Sequence, residues 1–304
     1  MDLVIDNFKT KGKCQIFTPD TIVEKMLELA NYRNNLFGKK VLENSCGDGQ
    51  ILSYIVKKYI ECAMRDGISS KQIRLGLARD ITGIDIDLEM VEKCKKRLSS
   101  IAKKYGIQNV KWNILCQDFL QVESRKSYDY IVGNPPYISY PDLQKSIREY
   151  VRENYQTCKK GKFDYCYAFI EKSYKLLSQQ GILVYIIPSN LFKNDIKQIY
   201  DFPNDKVFSE ALVSPAIIKV VKGSASETLQ YTQDVGGKIQ NMAIEKTSLA
   251  KKWIFDTNPL KSGVKVGDFF RVSSCIATLL NEAFVLKNCR FDDEYCYTDN
   301  GKIE

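Results

Sequence analysis

The chain contains 304 residues, of which 44% are hydrophobic, and this is enough length and apolar content for a sizeable buried core. It carries 45 Lys and Arg against 37 Asp and Glu, and the net charge of +8 favours an acidic partner such as nucleic acid. No histidine is present, which excludes Ser-His-Asp catalysis, Cys-His catalysis and any zinc site that needs imidazole.

The cysteines and the apolar runs indicate the compartment in which such a protein works. Ten cysteines occur without a C-x-x-C pair, and the N-terminus has no basic segment leading into an apolar one. No apolar run approaches the roughly 18 residues needed to cross a bilayer. We therefore expect reduced thiols, no metal site, no membrane partner and a cytoplasmic location.

Strands alternate with helices between residues 39 and 192. Five runs predict strands: KKVLEN, ITGIDID, VKWNILCQDF, SYDYIVG and GILVYIIPS. Three longer amphipathic runs predict helices: GQILSYIVKKYIECAMRDG, LEMVEKCKKRLSSIAKKYG and FDYCYAFIEKSYKLL. This alternation predicts an α/β fold with a doubly wound, mostly parallel Rossmann-like sheet. Two further runs, KVFSEALV and AIIKVVKG, predict a C-terminal antiparallel hairpin that closes the sheet.

The composition of the chain changes after residue 222. Residues 223–250 are polar and contain Gly and Ser, so they predict a linker or a long loop. Residues 251–304 contain apolar patches such as CIATLLNEAFVL but are too few for a second core. We therefore expect one domain over 1–222, the beginning of a second over 251–304, and a natural protein longer than this chain.

Polar side chains follow four of the predicted strands: Glu43, Asp85, Asp118 and Asn134. In open α/β sheets, ligands bind outside the carboxyl ends of the strands. Asp85 can accept two hydrogen bonds from a ribose diol, and Asp118 can accept one from an exocyclic amine beside the ring of Phe119. Each carboxylate alone also fits a helix cap or an exposed strand end, but the four positions together indicate a nucleoside site.

Two glycines, Gly47 and Gly49 in ENSCGDGQ, lie at the turn between the first strand and the first helix. Glycines at such a turn let the backbone approach a ligand closely, although a plain tight turn is an open alternative. The sequence lacks the three-glycine dinucleotide fingerprint, which disfavours a NAD site.

The stretch VGNPPYISY ends the fourth strand with Asn134, Pro135, Pro136 and Tyr137. Two prolines donate no backbone hydrogen bonds and fix φ near −65°, so the chain is stiff and its carbonyl groups are free. Asn-Pro is also a common way to begin a turn. An amide and a fixed carbonyl at a strand end can together accept hydrogen bonds from an amine, and this chemistry needs no histidine.

In their order along the chain these motifs resemble the S-adenosylmethionine-dependent N6-adenine DNA methyltransferases of the gamma, TaqI-like order. KGKCQIFTP is similar to the N-terminal cofactor motif of that family, and ENSCGDG stands at its glycine motif. GIDID, QDF, NPPY and the block FDYCYAFIEKSYKLLSQQGILVYIIPSNLF follow in the family's order. The resemblance covers roughly residues 9 to 222 and, weakly, the segment after 250.

The resemblance implies the cofactor, the substrate and the site residues. The cofactor would be S-adenosylmethionine, and the methyl group would go to N6 of an adenine flipped out of double-stranded DNA. Asn134, Pro135, Pro136 and Tyr137 would act on the base, and Tyr137 and Phe208 would stack on it. Residues 251–304 would begin a target-recognition domain, and a cognate restriction endonuclease could be encoded nearby. The cofactor pocket would be formed by Phe17, Thr18, Glu43, Ser45, Gly47, Asp85, Ile86, Asp118, Phe119, Asn134 and Phe169.

The sequence departs from the family pattern at two positions of the glycine motif. Asn44 stands where the family commonly has Pro, and Asp48 stands where it commonly has a small residue. We expect the extra carboxylate to alter the affinity for the methionine part of the cofactor.

A basic segment from Gln144 to Lys162 is the expected surface for the DNA backbone. Glu149 and Glu153 are interleaved with its cations, so a solvated helix face of mixed charge is an equal alternative. The cations assigned to DNA are Lys145, Arg148, Arg152, Lys159, Lys160 and Lys162.

Two other functions are compatible with these motifs. The first is an NPPY-type methyltransferase that acts on protein glutamine or on RNA, because an amide nitrogen poses the same electronic problem as the amine of adenine. The second is a non-catalytic DNA-binding specificity subunit, which would not need an intact cofactor pocket.

Overall fold

A nine-stranded sheet is the centre of the first of two compact units, Met1–Trp253 and Ile254–Glu304. The computed structural model describes residues 18–123, 126–188, 196–202, 215–224, 227–235, 237–246, 289–291, 296–298 and 301–303. In the second unit, the described residues form a three-stranded antiparallel sheet of β10 (Cys289–Phe291), β11 (Cys296–Thr298) and β12 (Gly301–Ile303).

The strand order of the large sheet is β3-β2-β1-β4-β5-β7-β6-β8-β9. The first five strands in this order run parallel, β7 is antiparallel to β5 and to β6, β8 is parallel to β6, and β9 is antiparallel to β8. The strands are β1 (Val41–Glu43), β2 (Ile81–Asp85), β3 (Asn113–Cys116), β4 (Tyr128–Gly133), β5 (Leu177–Pro188), β6 (Gln198–Asp201), β7 (Pro215–Val221), β8 (Thr228–Val235) and β9 (Lys238–Glu245).

Six described α-helices accompany these strands, and their ends follow local sequence signals. Asp87 accepts hydrogen bonds from the Glu89 and Met90 N–H groups and so caps the helix Leu88–Lys104. The helices are α1 (Asp20–Leu29), α2 (Gln50–Arg65), α3 (Ser70–Asp80), α4 (Leu88–Lys104), α5 (Lys145–Asn154) and α6 (Cys166–Leu176). Short 3-10 turns cover Tyr140–Asp142 and Gln156–Cys158. None of the described helices is long and apolar enough to span a bilayer.

The predicted α/β fold with a mostly parallel sheet is confirmed, and antiparallel strands follow at its C-terminal end. The prediction of a linker or long loop over 223–250 is wrong for β8 and β9, which pair as a hairpin and extend the sheet. In β8, Leu229 and Tyr231 are buried between polar neighbours, and those neighbours hide the strand in the sequence. AIIKVVKG does form β7, whereas KVFSEALV lies outside the described residues. The sequence reading missed α1, α3 and β6.

Candidate functional site

The predicted polar side chains meet at one edge of the sheet. β2, β1 and β4 are adjacent and parallel, so Asp85, Glu43 and Asn134 all lie at or directly after the carboxyl ends of neighbouring strands. Asp118 follows β3, the next strand on the far side of β2, by two residues. The sheet topology therefore brings together four positions that span more than ninety residues of sequence, at the edge where open α/β sheets bind ligands.

The two glycines of the turn after β1 have different structural roles. Both adopt positive φ angles, 48° at Gly47 and 86° at Gly49. A Cβ atom on Gly49 would lie 2.7 Å from Sγ of Cys94, so this glycine is required where α2 begins against α4. A Cβ atom on Gly47 would have no heavy atom within 4 Å. The backbone at Gly47 therefore borders open space at the strand ends, where a ligand can approach it.

Asp85 and Glu43 are both set by hydrogen bonds to backbone N–H groups. Asp85 accepts from Gly47 N at 2.7 Å and from Asp87 N at 2.9 Å, and burial raises the pKa of its carboxyl group. Glu43 is only 2% exposed, accepts from Leu52 N at 3.1 Å, and has its pKa raised well above its ordinary value by burial. The Glu43 carboxylate is thus buried against the first turn of α2, whereas Asp85 lies beside the glycine turn.

Aromatic rings line the site on the side of β3 and α6. The Phe119 and Phe169 rings lie 5.3 Å apart between centroids, and Tyr165 packs on Phe169 at 5.4 Å. Asp118 accepts from its own turn, from Leu120 N at 2.9 Å and from Gln121 Nε2 at 2.8 Å. Both carboxylate oxygens therefore already hold the turn that presents the Phe119 ring. Ile86, the other apolar residue predicted here, is half-buried.

Lys172 holds the same loop in place, a role that the sequence did not indicate. Its Nζ donates to the Leu120 carbonyl at 3.0 Å and to the Val122 carbonyl at 2.6 Å, and lies 5.1 Å from the Phe119 ring centroid. Burial lowers the pKa of Lys172 to about 8. Tyr155 and Tyr150 also donate to the Leu120 carbonyl, at 2.7 Å and 3.0 Å. This group of donors, Lys172, Tyr155 and Tyr150, is called the Leu120 clamp below.

The Asn134 side chain is held on two sides. Its Nδ2 donates to the hydroxyl of Thr18 at 3.3 Å, and Thr18 is buried. The Tyr137 hydroxyl contacts both Oδ1 of Asn134 and the carbonyl of Ile186, and burial raises its pKa so that it stays protonated. Oδ1 of Asn134 is a hydrogen-bond acceptor, the kind of atom that binds the N–H group of a substrate amine.

The backbone of the tetrapeptide is tied to the glycine turn. The Ser45 hydroxyl donates to the Asn134 carbonyl at 2.9 Å. Ser45 follows β1 by two residues and Asn134 follows β4 by one, so this bond bridges two neighbouring strand ends. Of the predicted site residues, Phe17 and Phe208 lie outside the described residues.

The two departures from the family pattern have partners within the chain. Asn44 is 2% exposed, and its Nδ2 donates to the hydroxyls of Ser173, at 2.9 Å, and of Tyr185. Asp48 pairs with the guanidinium of Arg97 on α4. The extra carboxylate of the glycine motif is therefore balanced by a cation.

The six cations predicted to face DNA fall into two groups. Lys145, Arg148 and Arg152 line a cavity of about 300 Å³ together with Tyr140 and Glu149. The other three, Lys159, Lys160 and Lys162, are exposed on the loop that leads to α6.

The chain is similar to known restriction-modification methylases. Residues 73–214 match the Eco57I restriction-modification methylase family. The chain is 30% identical over 191 residues to Type II methyltransferase M.BstVI of Geobacillus stearothermophilus, covering 59% of this chain and 34% of that protein. It is 33% identical over 176 residues to Modification methylase CviBIII of Paramecium bursaria Chlorella virus NC1A, covering 58% and 37%. The chain thus spans about a third of the length of these relatives.

Solved structures share the fold. A crystal structure from Listeria monocytogenes, assigned to the class I S-adenosylmethionine-dependent methyltransferases, superposes with a TM-score of 0.52 at 17% identity, covering 78% of this chain and 72% of that one. The ATP-dependent Type ISP restriction-modification enzyme LlaBIII bound to DNA gives a TM-score of 0.59 at 13% identity, covering 83% and 24%. Taken together, these similarities indicate S-adenosylmethionine as the methyl donor. Over residues 73–214 the chain is therefore similar to the Eco57I restriction-modification methylases, and over a longer stretch it is similar to type II methyltransferases.

Proposed function

We propose that this chain is the catalytic part of a DNA methyltransferase that transfers a methyl group from S-adenosylmethionine to N6 of a flipped-out adenine. One observation carries the proposal: the Asn134 amide, followed by two prolines, is held by Thr18 and Tyr137 at the carboxyl end of β4, beside the glycine turn. A rigid acceptor at that position suits an amine substrate, since it needs no strong base.

The residues at the strand ends fit the cofactor. Asp85 offers a carboxylate for a ribose diol, and the Phe119 and Phe169 rings offer an apolar surface for an adenine. The backbone at Gly47 borders open space, since a Cβ atom there would have no heavy atom within 4 Å. S-adenosylmethionine, when bound, supplies an electrophilic sulfonium methyl group. We assign the cofactor contacts to Phe17, Thr18, Ser45, Gly47, Asp85, Ile86, Asp118, Phe119, Asn134 and Phe169, with Glu43 supporting the turn from below.

The chemical task of the tetrapeptide is to make a poor nucleophile reactive. The lone pair of an aromatic amine is delocalised into the ring. Oδ1 of Asn134 and the carbonyl of Pro135 each accept one N–H, which draws the nitrogen toward tetrahedral geometry and localises its lone pair. Holding this nitrogen in line with the methyl group contributes up to ~7–11 kcal/mol of barrier reduction in favourable cases.

A base stacked in duplex DNA cannot reach such a site, so the target nucleotide is extruded at a cost of a few kcal/mol. Tyr137 and Phe208 stack on the extruded base, and an aromatic contact of this kind is worth about 1–3 kcal/mol. We further propose that residues 251–304 begin the segment that reads the target sequence, and that the protein acts in the cytoplasm beside a cognate restriction endonuclease.

Methyl transfer can be tested directly with methyl-labelled S-adenosylmethionine, offered separately with duplex DNA, RNA and a cell protein extract. We expect label in N6-methyladenine of DNA, identified by mass spectrometry, and its loss in Asn134→Ala with cofactor binding retained. Label in N4-methylcytosine would contradict the adenine assignment. Label in RNA or in protein glutamine would overturn the DNA substrate, and failure to bind the cofactor would favour the non-catalytic subunit.

A further inference from the structure

A cationic cavity opens directly after the catalytic tetrapeptide. It is lined by Tyr140, from the 3-10 turn that follows the tetrapeptide, and by four residues of α5: Lys145, Arg148, Glu149 and Arg152. These four lie at positions i, i+3, i+4 and i+7, so they share one face of the helix. Three cations face one carboxylate, which leaves a formal charge of 3 − 1 = +2 around a volume of about 300 Å³.

Two arginines converge on one aromatic ring in this cavity. The Cζ atom of Arg148 lies 5.0 Å from the Tyr140 ring centroid, and that of Arg152 lies 4.9 Å from it. The Tyr140 ring is itself braced edge-on by Phe163 at 5.2 Å. Stacking on a fixed ring restricts both guanidinium groups and orients their N–H donors, so less entropy is lost when they bind an anion.

The arginines have unused capacity for an anion. Glu149 pairs with Lys145 at 3.8 Å, whereas no carboxylate of the described residues lies within ion-pair distance of Arg148 or Arg152. Nη2 of Arg152 donates to the Gly161 carbonyl at 3.0 Å, but its Nε is buried without a hydrogen-bond partner in the described part of the chain. An anion between the two guanidinium groups would relieve the repulsion of two like charges beside one ring.

We propose that this cavity binds one backbone phosphate of the DNA strand that carries the target base. The proposal rests on the proposed function and specifies which contact anchors the strand. Guanidinium groups match phosphate oxygens in paired N–H to oxygen geometry, and phosphate contacts set the register of a protein on DNA. Tyr140 follows Tyr137 by three residues, so their Cα atoms are at most ~11 Å apart. The bound phosphate would therefore lie within a few nucleotides of the extruded base.

The test compares the salt dependence of duplex binding in the full chain and two double variants. In Arg148→Gln/Arg152→Gln the cavity loses both guanidinium groups, and in the matched control Lys159→Gln/Lys160→Gln the neighbouring loop loses two exposed cations. For one phosphate on duplex DNA, we expect the slope of log Kobs against log salt to become shallower by about 0.9 in the arginine variant. The DNA affinity of the arginine variant at low salt should fall at least tenfold. In the control, the changes in slope and in the logarithm of the affinity should each be less than half as large.

Further measurements separate the possible failures. Arg148→Gln alone spares the Arg152 contact with Gly161 and should give an intermediate slope, and cofactor binding should be unchanged in every variant. Equal losses of DNA affinity in the two double variants would overturn the proposal and would assign DNA binding to diffuse surface charge. Binding of inorganic phosphate with an unchanged DNA slope would show a free-anion site and overturn the proposal. Absence of methyl transfer to DNA by the parent chain would refute the proposed function, whatever the slopes; absence of any DNA binding would overturn both.

Discussion

The orientation of one amide decides the chemistry of this site. Thr18 accepts from Nδ2 of Asn134, and this leaves Oδ1 to face Tyr137 and a substrate. The Tyr137 hydroxyl has one proton and two acceptors, Oδ1 of Asn134 and the Ile186 carbonyl. When a base occupies the site, the proton can go to Ile186, which frees Oδ1 for the amine. Tyr137 thus has two separable parts, a hydroxyl that contacts Asn134 and Ile186 and a ring to which we assign stacking on the target base.

Removing these two parts separately should give graded losses of activity. Tyr137→Phe keeps the ring and loses a hydrogen bond worth about 1 kcal/mol, so we expect methyl transfer to slow about five- to tenfold. Tyr137→Ala also loses stacking worth about 1–3 kcal/mol and should slow it by a further factor of at least five. Single-turnover methylation at saturating DNA measures both. Equal losses in the two variants would mean that the ring has no part in catalysis.

The raised pKa of Asp85 predicts a pH dependence of cofactor binding. Burial raises this pKa, so the carboxylate takes up a proton at a higher pH than an ordinary Asp does. Only the ionised form accepts two hydrogen bonds from a ribose diol, so cofactor affinity should fall as pH is lowered from 7 toward the Asp85 pKa. Calorimetric titration across pH 5 to 7 tests this, with Asp85→Asn as the control. We expect Asp85→Asn to bind weakly and to show no fall with pH; a parallel fall would assign the titration to another group.

At the scale of secondary-structure elements, contacts with helices fix the loops at the strand ends. Arg97 of α4 pairs with Asp48 of the glycine turn, and the Leu120 clamp fixes the loop after β3. Three donors on one carbonyl exceed its two lone pairs. The Leu120 clamp therefore holds the loop even when one donor is lost. This keeps the Phe119 ring in place when no cofactor is bound.

Removing the Lys172 amine should make the loop after β3 less rigid than removing the Tyr155 hydroxyl does. Lys172→Met removes two hydrogen bonds, to the Leu120 and Val122 carbonyls, and should weaken S-adenosylmethionine binding several-fold. Tyr155→Phe, the matched control, removes one donor from a carbonyl that keeps two others. Equilibrium binding of the cofactor measures both variants. Equal cofactor affinities in Lys172→Met and the parent would show that the Lys172 contacts of the Leu120 clamp have no effect on cofactor binding.

Lys172 should also shape the stability at alkaline pH. Its pKa in the folded chain is about 8, below the ordinary value near 10.4. The unfolded chain binds this proton more tightly, so Lys172 makes the free energy of unfolding rise between about pH 8 and 10. Denaturant unfolding across this range should show a slope of unfolding free energy against pH that is less positive, or more negative, in Lys172→Met than in the parent. A more positive slope in the variant would contradict the sign.

At the scale of the whole molecule, residues 228–245 are part of the first compact unit. β8 pairs with β6, Leu229 is fully buried, and the Tyr231 hydroxyl donates to Asp201 of β6 at 2.7 Å. Leu229→Ala should lower the free energy of unfolding by about 2–5 kcal/mol. Ile239→Ala, on β9 where the side chain is 55% exposed, should change it by less than about 0.5 kcal/mol. Similar free energies of unfolding in both variants would show that the β8–β9 hairpin does not stabilise this unit.

The sequence was a good guide to the parallel half of the sheet and a poor one beyond it. Apolar runs mark β1, β2, β4 and β5 because most of the residues in these strands are buried or half-buried, and the polar residues at the strand ends mark the candidate site. In β3 only Ile114 is buried, and the alternation with helices indicates that strand. The placement of β7 between β5 and β6 depends on pairing between distant segments, which no local pattern records. For the same reason the contact of Tyr137 with Ile186, 49 residues away, and the pairing of Asp48 with Arg97 could not be read in advance.

The bond between the Ser45 hydroxyl and the Asn134 carbonyl has a consequence for how this protein can change. In the proposed function, Ser45 belongs to the turn that binds the cofactor and Asn134 binds the base, so their hydrogen bond would transmit a displacement of either loop to the other. Substitutions that adapt the turn to a bulkier cofactor analogue will therefore also shift the methylation rate at saturating concentrations of both reactants. If the proposed function holds, cofactor selectivity and turnover would change together in this chain.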